Sequence, residues 1–267
     1  MSGMLRSKPA AYWDGVAQDW AASRPQRLWR SYSDLLHAHL LAEWVPQQKI
    51  ERVLKTDAFD EATGATGLHP QLASVARTVV SIDISLETLR QARSRQEALR
   101  AVGADVCRLP FDDGAFGLVF SNSTLDHMDS LDDVAMALAE LHRVLRPGGQ
   151  LVLTLDNLWN PVVALRNAVP RALLARLRMV PYHVGATCGP LRLKRLVCQA
   201  GFDPQHVGAM MHCPRLPVVL VANALDRIAA APAKNAFVRF LLAWERLERW
   251  PTRHLTGYFV TVVAFRR

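Results

Sequence analysis

The apolar positions of this chain change period along its length. Tyr12, Val16 and Trp20 fall on one helical stripe, and Leu28, Trp29, Tyr32, Leu35, Leu36 and Leu40 on another, which predicts two helices over 10–45. Pro25 stands where the second begins and Pro46 where it ends. From Glu51 onward short apolar runs are bounded by polar loops, the pattern of strands buried on both faces. Strands are expected at Glu51–Lys55, Thr78–Ile82, Ala104–Cys107, Leu118–Asn122 and Gln150–Leu155. Between them, TDAFDEATGATGLHPQLASVA reads as a loop feeding a helix. Ser85 is a good N-cap for a helix over Leu86–Arg100. Ser130 with Asp133 resembles a capping box opening a helix with Leu131, Val134, Leu138, Leu141 and Leu145 on its apolar face. Pro147-Gly148-Gly149 closes it.

Beyond Asn157 the alternation loosens. Residues 157–190 read as loops and a short basic helix in which Leu173, Leu174 and Leu177 oppose Arg171 and Arg178. Leu191–Ala200 is expected to be a helix with Gly201 as its C-cap, and Pro204–Met211 a sixth strand. Two apolar helices follow over Pro217–Ala230 and Lys234–Trp250, the second with Phe237, Phe240, Leu241, Trp244 and Leu247 on one face. Tyr258–Phe265 is a seventh strand. Strands alternating with helices predict an α/β fold around a parallel sheet.

Composition narrows this picture. The chain has 267 residues, half of them hydrophobic and 21% charged, as in an ordinary folded protein. The apolar run Pro217–Leu225 is broken by Asp226 and Arg227, well short of a membrane span, and MSGMLRSKPAAYWDG lacks the apolar core of a signal peptide. Cys107, Cys188, Cys198 and Cys213 are scattered without metal-ligand spacing, which fits free thiols in a reducing, cytoplasmic setting and no metal site. The net charge of +8 is uneven: no acid lies between Asp156 and Asp203, where Arg166, Arg171, Arg176, Arg178, Arg192, Lys194 and Arg195 gather.

Four segments between Arg52 and Asn157 carry a resemblance to the class I S-adenosylmethionine-dependent methyltransferases, in particular their small-molecule, methyltransferase-type-11-like group. They are VVSIDIS, ADVCRLPFDDGAFGLVFS, FSNSTLDHM and LRPGGQLVLTL. The resemblance implies a Rossmann-like, seven-stranded, mostly parallel sheet with helices on both faces and an antiparallel last strand beside the fifth. It implies S-adenosyl-L-methionine as cofactor, with Asp83 and the adjacent Ile84 at the ribose, Asp105 and Val106 at the adenine, and Asn122 and Ser123 beneath the methionine part. RPGG is a turn that positions strands.

The first loop departs from the family pattern of an acid followed by closely spaced glycines. Here it runs VLKTDAFDEATGATG, with Lys55 and Asp57 at the usual acid and glycine, and glycine returning only at Gly64 and Gly67. Asp57, Asp60 and Glu61 make the loop acidic. That repels a pyrophosphate, which argues against an oxidoreductase, and attracts the cationic sulfonium and amino groups of S-adenosylmethionine. Asp57 is expected at the amino group, with Lys55 pairing an acid or the cofactor carboxylate and Gly64 contacting cofactor.

Methyl transfer is an in-line displacement governed by alignment, and an oxygen acceptor that carries a proton needs a base. His127, with Asp126 beside it, is the candidate in the loop after the fourth strand, against the alternative that it caps or packs that loop. His183 and His212 are further candidates. Substrate-pocket inserts are expected at 157–190 and 213–252 of a methyltransferase domain spanning 47–267, beneath a helical lid over 1–46 that offers Tyr12 or Trp13. Arg166, Asn167 and Tyr182 are the candidate substrate contacts, suited to a small or amphiphilic acceptor, lipid-linked or of secondary-metabolite type. Basic and apolar surface admits contact with an anionic membrane and a homodimer. Two alternatives stand beside this reading: a non-catalytic partner protein that keeps the fold, and an RNA methyltransferase, although no RNA-binding module is evident and nucleic acid is disfavoured.

Overall fold

A computed structural model describes residues 9–22, 26–45, 49–63, 67–170 and 182–267. In chain order the elements are α1 (Ala10–Ala22), α2 (Arg27–Trp44), β1 (Ile50–Lys55), α3 (Phe59–Thr63), α4 (His69–Val75), β2 (Ala76–Asp83), α5 (Leu86–Arg95), β3 (Arg100–Gly103), β4 (Phe116–Asn122), α6 (Leu131–Val144), β5 (Leu145–Asp156), α7 (Pro161–Ala168), α8 (Pro190–Gln199), β6 (Phe202–Met210), α9 (Arg215–Ile228), α10 (Ala231–Ala243), α11 (Arg253–Thr256) and β7 (Phe259–Arg266). Single 3₁₀ segments cover Leu125–His127 and Trp244–Arg249.

The seven strands form one sheet in the order β3-β2-β1-β4-β5-β7-β6. β7 runs antiparallel to both β5 and β6, and the other pairings are parallel. The expected architecture is therefore present. Its cause is visible in the central strands: Val53, Leu54, Leu118, Val119, Phe120, Leu151, Val152 and Leu153 are all buried, so neither sheet face can meet water and each needs a helical cover. One cover packs Val134, Leu138 and Leu141 of α6 with Leu193 and Val197 of α8. The other packs Trp29, Tyr32, Leu36 and Leu40 of α2 with Val218, Ala222 and Leu241 of α9 and α10.

Local signals in the sequence are realised at several ends. Ser85 Oγ accepts from Thr88 N at 3.0 Å, and Ser130 and Asp133 form a reciprocal capping box. Gly201 has φ +96°, a conformation that favours glycine beyond a helix end.

Other expectations need correction. The third strand is Arg100–Gly103, not Ala104–Cys107, and α5 stops at Arg95. Residues 104–108 form a turn closed by the Asp105–Arg108 bridge, because β3 has to end where Gly103 pairs with Asp83 at the cleft edge. β5 starts at Leu145, five residues before the expected strand, and carries an irregularity where it pairs with β4 at 116–118. Leu35 and Phe240 are exposed rather than buried. The helix expected over Lys234–Trp250 divides into α10 and a 3₁₀ segment. The short basic helix near Arg171–Arg178, Pro25, Pro46 and Gly64 lie outside the described residues. No described helix is long and apolar enough to cross a membrane.

Candidate active site

The strand order reverses between β1 and β4, and open α/β sheets bind ligands beyond the carboxyl ends of the strands at that point. A deep cleft opens there. One end is lined by Asp83 and Ile84 after β2 and by Ala104, Asp105 and Val106 after β3. Thr56 and Asp57 after β1, with Asn122, Ser123 and Thr124 after β4, line its middle. Asp126, His127, Asp156, Arg166, Tyr182 and Arg215 line the other end, and Trp13, Val16 and Trp20 of α1 close the top.

At the first end, both Asp83 oxygens already accept backbone amides: Oδ1 from Ser85 N at 2.9 Å and Oδ2 from Ala58 N at 3.2 Å. These fix the carboxylate and leave lone pairs toward the cleft. Burial raises its pKa to about 6. Asp105 is held similarly, its Oδ1 accepting from Cys107 N at 2.9 Å. Helix α1 is tethered to this end. Asp14 of α1 accepts from Ser85 Oγ at 2.7 Å and Glu87 N at 3.0 Å, so α1 is pinned to the start of α5 beside Asp83.

The first loop is organised by a buried lysine. Lys55 is wholly buried, and its Nζ donates to Asp57 O, Asp57 Oδ1 and Glu61 Oε2, each at 3.0 Å. Burial opposes its charge, but Asp57, Glu61 and Asp60 hold it protonated. Lys55 does not line the cleft. It neutralises the acids that replace the glycines, and Glu61 packs where a Cβ on Gly67 (φ +58°) would meet its Oε1 at 2.8 Å. Asp57 does line the cleft: one oxygen is used by Lys55, and Oδ2 is buried without a partner among the described residues. Burial raises its pKa to about 6, with Lys55 opposing. Ser123 stands in the left-handed region at φ 47°, with its N donating to Thr154 Oγ1 at 3.1 Å and its Oγ unpartnered.

Of the three candidate histidines, the structure places only His127 on the cleft wall. Its Nδ1 lies 2.9 Å from His183 O, which assigns the proton to Nδ1 and leaves the Nε2 lone pair free to accept one. The ring lies between Trp13 (5.0 Å) and the edge-on Tyr182 (5.4 Å). Asp126 is 4.0 Å from Nε2, beyond a hydrogen bond, so the His183 carbonyl orients the ring. His183 Nε2 pairs with Asp129 at 2.9 Å, and buried His212 bonds Thr256 Oγ1 at 2.8 Å away from the cleft.

Among the candidate substrate contacts, Arg166 and Tyr182 line the cleft while Asn167 is exposed and outside it. Arg166 is already committed, bonding Asp156 Oδ2 at 2.6 Å and the Tyr258 hydroxyl at 2.9 Å. Sequence reasoning passed over Arg30, Asp34 and His37 on the polar face of α2, Asp156 at the end of β5, and Arg215 at the start of α9. Asp156 was the findable one, a strand-terminal acid like Asp83. Arg30 pairs with Asp60 at 3.1 Å while stacking on Trp20 and Phe59 at 5.2 Å each. Burial, aided by Asp60, raises Asp34 to about 7, and burial lowers the pKa of His37.

With this geometry described, similarity to known proteins takes its place. Residues 59–153 match the family model described as a methyltransferase domain. One relative, malonyl-[acyl-carrier protein] O-methyltransferase of Pseudescherichia vulneris, is 43% identical over 96 residues, 36% of this chain and 37% of that protein. The enzyme of the same name from Erwinia billingiae is 30% identical over 169 residues, 61% of this chain and 63% of that protein. The matched region thus spans less than two thirds of these relatives' length. A solved structure described as a putative sarcosine dimethylglycine methyltransferase from Galdieria sulphuraria superimposes with TM-score 0.56 at 12% identity, covering 88% of this chain and 85% of that one. Residues 59–153 thus resemble a methyltransferase domain, and the sheet around them has the class I, S-adenosylmethionine-dependent fold of that solved structure.

S-adenosylmethionine is the cofactor of this class, and the residues present fit it. Asp83 and Asp105 offer fixed acceptors at the first end of the cleft. In the middle, Asp57 Oδ2 and Ser123 Oγ are buried and unpartnered, so a cationic, hydrogen-bonding ligand would satisfy them.

Proposed function

We propose that this protein transfers a methyl group from S-adenosylmethionine to an oxygen of a small or amphiphilic acyl acceptor. The observation that carries the reading is the single cleft that joins carboxylate-lined strand ends, suited to a cationic cofactor, to an arginine- and aromatic-lined compartment walled by the later inserts. The relatives named for O-methylation of a malonyl acyl-carrier thioester support an acyl acceptor.

In this reading Asp83, Ile84, Asp105 and Val106 hold the adenosine, and Asp57 with Asn122 and Ser123 holds the methionine part. When bound, the cofactor supplies an already activated methyl group. The chain's own contribution is alignment and exclusion of water, with Trp13 and Trp20 of α1 forming the cover. For an acceptor with a hydroxyl proton, His127 Nε2 is the proton acceptor; a carboxylate acceptor needs none.

A second reading, a fold-retaining partner without turnover, draws on one observation: Phe59, Asp60 and Glu61 fill the loop where glycines are expected. Calorimetric titration with S-adenosylhomocysteine, followed by methyl transfer from labelled S-adenosylmethionine to a malonyl thioester, separates the two. Binding with turnover is the expected result. An absence of cofactor binding would favour the partner reading.

A further inference from the structure

The acceptor end of the cleft contains a cation with no carboxylate at ion-pair distance among the described residues. Of the three arginines on the cleft wall among the described residues, Arg30 is paired with Asp60 and Arg166 with Asp156. Arg215 has no carboxylate within ion-pair distance among the described residues, which include every Asp and Glu of the chain. Aromatic groups hold it at contact distance, and the Asp156 carboxylate, already paired with Arg166, acts on it from farther away. The Arg215 Cζ sits 4.3 Å from the Tyr258 ring centroid and 5.7 Å from that of Trp29, with Tyr182 in hydrogen-bonding reach. Rings orient a guanidinium by stacking and leave its N–H edge free. Tyr258 also takes an Arg166 bond on its hydroxyl, which fixes the ring that holds Arg215. A half-buried, pre-oriented guanidinium without an ion-pair partner gains from an anion that completes it.

We propose that Arg215 is the anchor for a carboxylate on the acyl acceptor. This assignment rests on the methyltransferase reading above and names its substrate class: an acyl group with a free terminal carboxylate. The guanidinium holds one carboxylate oxygen and leaves the other open to attack. That oxygen forms the new O–CH₃ bond as the S–CH₃ bond breaks; the electron pair goes to sulfur and no proton moves. The product is a neutral ester, so the charge that Arg215 binds disappears in the reaction. The same residue thus favours substrate entry and product departure.

The test uses the full chain, with and without S-adenosylhomocysteine, titrated with a soluble malonyl thioester, its methyl ester, an acetyl thioester and an alkyl phosphate. The wild type is expected to bind the malonyl thioester at least about tenfold more tightly than the two neutral probes. Arg215→Gln should abolish that preference, raising KM far more than it lowers kcat, with cofactor affinity unchanged. Arg215→Lys should recover part of it, and decides the matter if the glutamine variant fails to fold. Malonyl binding that is indifferent to both substitutions overturns the assignment. So does an Arg215-dependent preference for the phosphate over the malonyl probe. Failure of S-adenosylhomocysteine to bind the wild type overturns the proposed function instead, because the anion titration is read separately.

Discussion

Two cations in this molecule have opposite fates. Lys55, beneath the first loop, is surrounded by Asp57 and Glu61 at 3.0 Å and lies off the cleft wall. Arg215 has aromatic rings against it and no carboxylate at ion-pair distance among the described residues, and lies on the wall. A cation neutralised within the fold is part of the scaffold, whereas one left for a ligand marks a site. The same distinction separates Arg166, which Asp156 occupies, from the role the basic composition of its segment suggested.

The largest effect expected from testing this contrast is on stability. Lys55→Met leaves Asp57 and fully buried Glu61 without their partner and should cost about 3–5 kcal/mol in denaturant unfolding. A loss below about 1 kcal/mol would show the cluster is not the scaffold element described. At the site itself, Asp83→Asn can accept only one of the two backbone amides and loses its charge. It should weaken S-adenosylhomocysteine binding about tenfold with little change in melting temperature. An equal affinity would remove Asp83 from the cofactor site.

Ser130→Ala serves as a control far from either cation. Loss of the α6 capping box should cost about 1 kcal/mol and leave all ligand affinities intact. The smallest effect concerns pH. Asp57 and Asp83 have folded pKa values of about 6, above the ordinary carboxylate value, so the folded chain retains protons that the unfolded chain loses. Their contribution to stability is therefore full below about pH 4 and is lost as pH rises through about 6. A cationic ligand binds the ionised forms. Affinity for S-adenosylmethionine and for S-adenosylhomocysteine, which share the amino group, should accordingly rise a few-fold from pH 5 to 7. A flat profile for both would show that Asp57 does not face that group.

Much of the scaffold was legible because its signals are local. The run VVSID, the Ser130–Asp133 cap and the apolar face of α6 each act within a few residues, so Asp83, Asn122 and Ser123 were placed at strand ends correctly. The third strand was misjudged by four residues because Arg100–Gly103 carries no apolar run of its own. It is a strand only because β2 offers it an edge. Lys55 was identified as part of the first loop, but whether it faced cofactor or acid depended on where α3 placed Glu61.

What the sequence by itself determined is the order of strands and helices, the strand-end acid at 83, and the acidic character of the first loop. Periodicity and capping are properties of neighbouring residues, and they require no knowledge of the rest of the fold. What only the tertiary structure decided is which charges were left over. Arg30 meets Asp60 across 30 positions and Arg166 meets Asp156 across 10. Arg215 meets the rings of Trp29 and Tyr258, from α2 and the residue just before β7, only because both pack beside the start of α9. Neutralisation is a matter of distances of a few ångströms between distant segments, so a cleft arginine without an ion-pair partner among the described residues became visible only in the folded structure.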